Sequence, residues 1–107
     1  MQKFAQWVEQ IVSEKSHPIL AAFNAPFDWM FVNDYFHRYL GYNPFGHKAL
    51  DIKALYMGLR KTTWMETSYT MVSEKTGIEI ALTHHALKDA VQQAKIFEIL
   101  LEELRGE

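Results

Sequence analysis

Apolar residues recur along this chain with two different periods. Phe4, Val8, Ile11 and Val12 fall at helical spacing with Trp7 beside them, which predicts an amphipathic helix over residues 2–15. Ser16-His17-Pro18 ends it, because proline disfavours helical backbone in the residue before it. The apolar run 19–23 lies between turn signals and has the length of a buried strand. Asn24 and Pro26 mark a turn and a helix start, and residues 27–40 form the next helix. That helix is apolar on several faces (Phe27, Met30, Phe31, Tyr35 and Leu40, with Trp29, Val32, Phe36 and Tyr39 around them), which predicts burial on more than one side.

Residues 41–46 read as a loop, 47–52 as a second short strand and 53–59 as a helix. Residues 60–64 connect to a helix over 66–75, closed by Gly77 where a left-handed backbone suits glycine. Residues 78–82 read as a loop or brief extended segment. The strongest periodic signal is 86–104, with a stripe through Leu87, Val91, Ala94, Phe97, Ile99, Leu100, Leu101 and Leu104, and Gly106 to close it. Strands alternating with helices imply a parallel α/β arrangement. Two strands are fewer than a covered parallel sheet normally has, so further strands are expected from elsewhere.

Composition narrows the function classes. A chain of 107 residues is expected to be a single domain over 1–107, and 49% hydrophobic against 22% charged residues is enough to bury a core. The absence of cysteine excludes disulfides and thiolate metal sites, and fits a cytoplasmic protein. A net charge of −2 disfavours nucleic-acid binding held mainly by charge, although a cation-dependent nuclease escapes that objection. No apolar run is long enough to span a bilayer, so no membrane partner is expected.

Two stretches carry candidate chemistry. Asp28 falls in the first turn of the helix that follows the first strand. A carboxylate there favours the helix dipole by about 0.3–1 kcal/mol, and it also faces the crevice where α/β proteins bind ligands. Hard oxygen donors of this kind suit Mg²⁺ or Mn²⁺. Asp89 poses the same choice in the last helix. His85 is four residues before it and would share its face on a continuous helix, whereas His84 could approach only from a preceding loop.

Asn24-Ala25-Pro26-Phe27-Asp28 and His84-His85-Ala86-Leu87-Lys88-Asp89-Ala90 together resemble the second and third motifs of the DEDDh family of 3′–5′ exonucleases. The likeness extends over 24–36 and 50–59, and roughly over 1–104. It implies an incomplete ribonuclease H-like α/β fold and two-metal hydrolysis of single-stranded DNA or RNA 3′ ends, with Mg²⁺ or Mn²⁺ as cofactor. Carried over, Asp28 and Asp89 are metal ligands, His84 the general base, and Asn24 and Phe27 structural or substrate-adjacent; no role transfers to His85. Among aromatic residues that could stack on bases, Tyr42 and Phe45 in the loop are favoured over Trp29 and Tyr39, and Tyr35 is assigned to the core.

The family's first motif, Asp-x-Glu, is absent: the four aspartates read Asp28-Trp-Met, Asp34-Tyr-Phe, Asp51-Ile-Lys and Asp89-Ala-Val. The resemblance therefore implies the C-terminal portion of such a domain, binding metal weakly and inactive or nearly so as an isolated chain. Its first strand, 19–23, would keep an open edge, and a homo-oligomer through that edge is expected. The competing reading is a non-catalytic oligomerisation or protein-interaction module on the same scaffold.

Overall fold

A computed structural model describes residues 1–12, 16–79 and 85–106. The elements run α1 (Gln2–Ile11), β1 (Leu20–Ala22), α2 (Ala25–Tyr39), β2 (Ala49–Asp51), α3 (Ile52–Arg60), a single 3-10 turn (Trp64–Glu66), α4 (Tyr69–Thr76) and α5 (Ala86–Arg105). This is an α/β fold with short parallel strands among helices and an open sheet, as expected of an incomplete ribonuclease H-like architecture. The chain divides into two compact units, Met1–Asp51 and Ile52–Glu107. Among the described residues no helix is long and apolar enough to cross a membrane.

In the first unit β1 and β2 pair in parallel, with Leu20 opposite Ala49, Ala21 opposite Leu50 and Ala22 opposite Asp51. Helix α2 connects them and packs on both. Its inward anchor is Phe36, which is fully buried. The Phe4 ring of α1 meets Phe36 edge-on at 5.3 Å, and Phe45 meets Phe36 at 6.3 Å. Ala5 and Val8 complete the buried side of α1. Small residues stand where the chain passes from β1 to α2. Ala22 and Ala25 are buried where strand turns into helix, and larger side chains would crowd that turn.

Several sequence expectations need correction here. Helix α1 stops at Ile11, because Val12 is already extended; consecutive β-branched residues weaken a helix end, and 13–15 lie outside the described residues. Both strands are shorter than expected. Ile19, His47 and Lys48 are exposed, and Ile52 already belongs to α3. Helix α2 begins at Ala25, with Pro26 in the first turn where its missing N–H is not needed.

Nor is α2 buried on several sides. Phe27, Met30, Phe31, Tyr35 and Tyr39 are all exposed. They pair along the helix instead: Phe27 with Phe31 edge-on at 5.1 Å, and Tyr35 stacked on Tyr39 at 6.0 Å. Tyr35 is thus a surface residue and not part of the core. Among the described residues α2 packs on a sheet of two strands, and its one buried ring, Phe36, meets Phe4 and Phe45.

The second unit is helical. Helix α5 packs against α3 and α4. Its buried positions are Ile96 and Leu100, one turn apart, facing a core that includes Ile52, Tyr56 and Val72. The expected stripe is therefore rotated: Ile96 is central, while Leu87, Val91 and Leu104 are exposed. Helix α4 starts at Tyr69 rather than 66. Glu66 closes the 3-10 turn, and Ser68 caps α4 by accepting from the Met71 N–H at 3.2 Å. Gly77 (φ 80°) and Gly106 (φ 79°) end α4 and α5 in the left-handed region, as the sequence predicts. Arg60 bridges α3 to α5 through Glu103 at 3.0 Å and lies over the Tyr56 ring. Being partly exposed, that ion pair contributes at most about 1 kcal/mol.

The rotated stripe gives a direct check. Leu100→Ala should lower stability by about 2–5 kcal/mol, whereas Leu104→Ala should change it by less than about 0.5 kcal/mol. Urea unfolding of the two variants, followed by circular dichroism, measures the difference.

Candidate functional site

The first half of the candidate site is the turn from β1 into α2. Asn24 occupies the N-cap position with φ 59° and ψ 52°, a left-handed conformation that asparagine tolerates better than most residues. Its own side chain makes no capping hydrogen bond. The cap comes from Asp51, at the end of β2. One carboxylate oxygen, Oδ1, accepts from the Asn24 N–H at 2.9 Å and from the Ala25 N–H at 3.2 Å. Two amides at the start of α2 are thereby satisfied from the neighbouring strand. Asp28 follows in the first turn, exposed, at the carboxyl end of the parallel pair. Beside this turn lies a cleft of about 190 Å³ lined by Ala25, Pro26, Trp29, His47, Ala49 and Asp51.

The second half is the start of α5. The helix begins at Ala86, and His85 is its N-cap, in extended backbone. The His85 ring accepts from the Lys88 N–H through Nδ1 at 3.3 Å. His85 is therefore engaged with the helix end, as a cap, rather than stacked along the face with Asp89. His84 lies outside the described residues. Asp89 sits in the first turn, half-buried, close to Tyr69 at the start of α4. The Tyr69 hydroxyl donates to Gln92 Oε1 at 3.1 Å. Partial burial, and then the charge of Asp89, hold the Tyr69 phenol above its ordinary range.

Asn24, Phe27 and Asp28 thus stand together on one turn. Phe27 is exposed there, its ring resting on Phe31. Tyr42 and Phe45 do not join them. They follow the far end of α2, whose run from Asp28 to Leu40 rises about 18 Å. Tyr42 donates through its hydroxyl to Glu9 at 2.8 Å, and that bond, ahead of desolvation and the Glu9 charge, raises its pKa. Phe45 is tied to the ring cluster of Phe4 and Phe36, and its N–H donates to Asn43 Oδ1 at 2.9 Å. Asp89 belongs to the other unit.

Two divalent cations need several hard oxygen donors around each. Among the described residues, no group of three or more histidine, aspartate or glutamate side chains is placed to hold a metal ion. Two carboxylates, Asp28 and Asp89, are fewer donors than two such ions need, since magnesium sheds its waters reluctantly.

Sequence reasoning missed the supporting groups: Asp51 behind Asp28, and Tyr69 and Gln92 beside Asp89. Asp51 and Tyr69 lie on different elements from the residues beside them, so no local spacing announces either; Gln92 shares α5 with Asp89 and enters only through its bond to Tyr69.

No protein-family model matches this chain. It is 41% identical over 100 residues to the 3′-5′ DNA exonuclease Cap18 of Escherichia coli. The match takes in 94% of this chain and 54% of that exonuclease, so the chain spans about half the length of the curated relative. This similarity supports a relationship to the 3′–5′ exonucleases.

The pairing of Tyr69 with Asp89 has a measurable consequence. A phenol whose folded pKa is raised gives stability that is present below the unfolded value of about 10 and is lost as the pH climbs through the folded value. Asp89→Asn removes the charge and leaves the burial, so Tyr69 should ionise at lower pH than in the parent and the alkaline loss of stability should shrink. A titration of the tyrosine ring carbons by NMR reads both proteins.

Proposed function

We propose that this chain is the part of a DEDDh-type 3′–5′ exonuclease that carries the second and third motifs, acting on single-stranded nucleic acid ends. The observation that carries the reading is the similarity to an exonuclease over nearly the whole chain. The β1–α2 turn, which presents Asp28 at the carboxyl end of parallel strands, supports it. In this reading Asp28 and Asp89 are the carboxylates the chain contributes, and His84 is the proton acceptor. Asn24 and Phe27 border the same turn. Cleavage then requires carboxylates that these 107 residues do not contain, because the chain has no Asp-x-Glu.

The open sheet favours a companion polypeptide. Among the described residues β1 pairs only with β2, so its other edge has no strand beside it. Unpaired N–H and C=O groups along an apolar edge recruit another strand. That strand comes from a segment bearing the first motif or from a second copy of this chain. The exposed apolar side of α2 also favours a covering partner, and the non-catalytic module is the reading that survives if no cleavage can be restored.

Restored activity tests the proposal. The chain alone, given Mn²⁺ and a 5′-labelled single-stranded oligonucleotide, should leave the substrate intact or nearly so. Supplied with a three-strand segment bearing Asp-x-Glu, fused ahead of Met1, it should shorten the oligonucleotide stepwise from its 3′ end. Asp28→Asn, Asp89→Asn or His84→Ala in that fusion should each lower the rate by at least about a hundredfold. A folded fusion that never cleaves, run beside the active Escherichia coli exonuclease, would refute the exonuclease reading. For the edge, light scattering should find an oligomer for the chain alone and a monomer for Ile19→Lys, which places a charge just before β1. A parent that stays monomeric at high concentration sinks the edge-pairing part.

A further inference from the structure

We infer that Asp51 is a positioning residue of the candidate site: its carboxylate holds the left-handed turn at Asn24 and so fixes where Asp28 stands. The meaning of Asp28 rests on the function proposed above, while the capping geometry stands by itself.

Three observations converge on Asp51. First, one oxygen accepts two hydrogen bonds, from the Asn24 and Ala25 N–H groups, across 27 and 26 residues of sequence. Second, the residue that would ordinarily cap α2 does not do so. Asn24 is left-handed, and its side chain makes no capping bond. A left-handed turn at a residue other than glycine needs outside support, and the Asp51 carboxylate provides it on the amide of that same residue. Third, strand register puts Asp51 directly opposite Ala22, so the carboxylate stands at the carboxyl end of the sheet where the chain leaves β1. Its negative charge also favours the positive end of α2.

Asp28 lies four residues beyond Asn24 on the helix that this carboxylate starts. If the two amides lose their acceptor, the first turn is free to fray or rotate, and the direction of Asp28 changes with it. Asp51 acts on Asp28 through the backbone of the turn. It also forms one wall of the 190 Å³ cleft beside the turn, so its loss alters the adjoining surface as well. Asparagine at this position keeps the accepting oxygen without the charge. Alanine removes both.

Amide hydrogen exchange of the full chain, read by NMR, tests the capping. In Asp51→Ala the Asn24 and Ala25 amides should exchange about tenfold faster or more, measured against the Phe36 amide in the same sample, which corrects for any general loss of stability. In Asp51→Asn they should stay within about threefold of the parent. Asn24→Gly, which removes the strain of the left-handed turn, should partly restore the parent position of the Asp28 amide signal in Asp51→Ala. Should Asp51→Ala prove too unstable to study, the Asp51→Asn comparison still decides, since large acceleration there contradicts an accepting role. Unchanged protection of Asn24 and Ala25 in Asp51→Ala would overturn the inference.

A second arm separates positioning from capping. A single-stranded oligonucleotide should shift the Asp28 amide in the parent and fail to do so in Asp51→Ala. An equal shift in both proteins rejects the positioning role. If no oligonucleotide moves Asp28 in the parent, the exchange data alone judge Asp51, and the exonuclease reading is left to the fusion experiment.

Discussion

One carboxylate oxygen joins the two strands of the first unit to the helix between them. Asp51 ends β2, and its Oδ1 receives the first amides of α2. Each of these pieces is weak alone. The strands are three residues long, and α2 opens on a left-handed asparagine followed by alanine and proline, none of which caps it. Net hydrogen-bond contributions of about 1.5–3 kcal/mol are typical when the acceptor is charged, which is large beside the few contacts of a three-residue strand. The bond set also has a direction. It closes the carboxyl end of the parallel pair, where α/β proteins place their ligands. Stability and site geometry in this unit therefore depend on the same side chain.

The second unit solves the corresponding problem locally. Helix α5 is capped by His85 and α4 by Ser68, both from within three residues. Asp89 is supported differently from Asp28. It stands near a partly buried phenol that is itself tied to Gln92 on the same helix as Asp89. One acidic residue thus follows a backbone cap delivered across the sheet, the other has a phenol from the neighbouring helix beside it. The two carboxylates that the sequence motifs set in parallel sit in physically unlike surroundings.

What could be read from the sequence divides along the same line. Helical and strand periods placed the strands and the α-helices to within a few residues, because they depend on neighbours close in sequence. Gly77 and Gly106 announced two helix ends for the same reason. The inward face of α5 was read one step off. Ile96 lies in a stretch where apolar residues are so frequent that several stripes fit equally well, and only the packing of α5 against α3 and α4 selects between them. The outward turn of Phe27, Phe31 and Tyr35 was not legible at all. Hydrophobicity predicts burial only where there is something to be buried against, and the number of strands under α2 is not a property of α2. Asp51 appeared in sequence as an acid without a motif; its partners are 26 and 27 residues away.

That exposed side of α2 and the open edge of β1 express one constraint. Burying a phenylalanine or methionine is worth about 1.5–3 kcal/mol, and α2 leaves Phe27, Met30 and Phe31 largely uncollected. Ring pairing along the helix recovers about 0.5–1.5 kcal/mol for each pair, less than burial would give. A surface helix of an otherwise complete domain would carry polar residues at those positions. Helix α2 has instead the composition of a helix between two layers, and β1 has the composition of a strand between two neighbours. Both features are what the proposed companion polypeptide would cover, and the Asp51 cap holds the turn at the end of this layer.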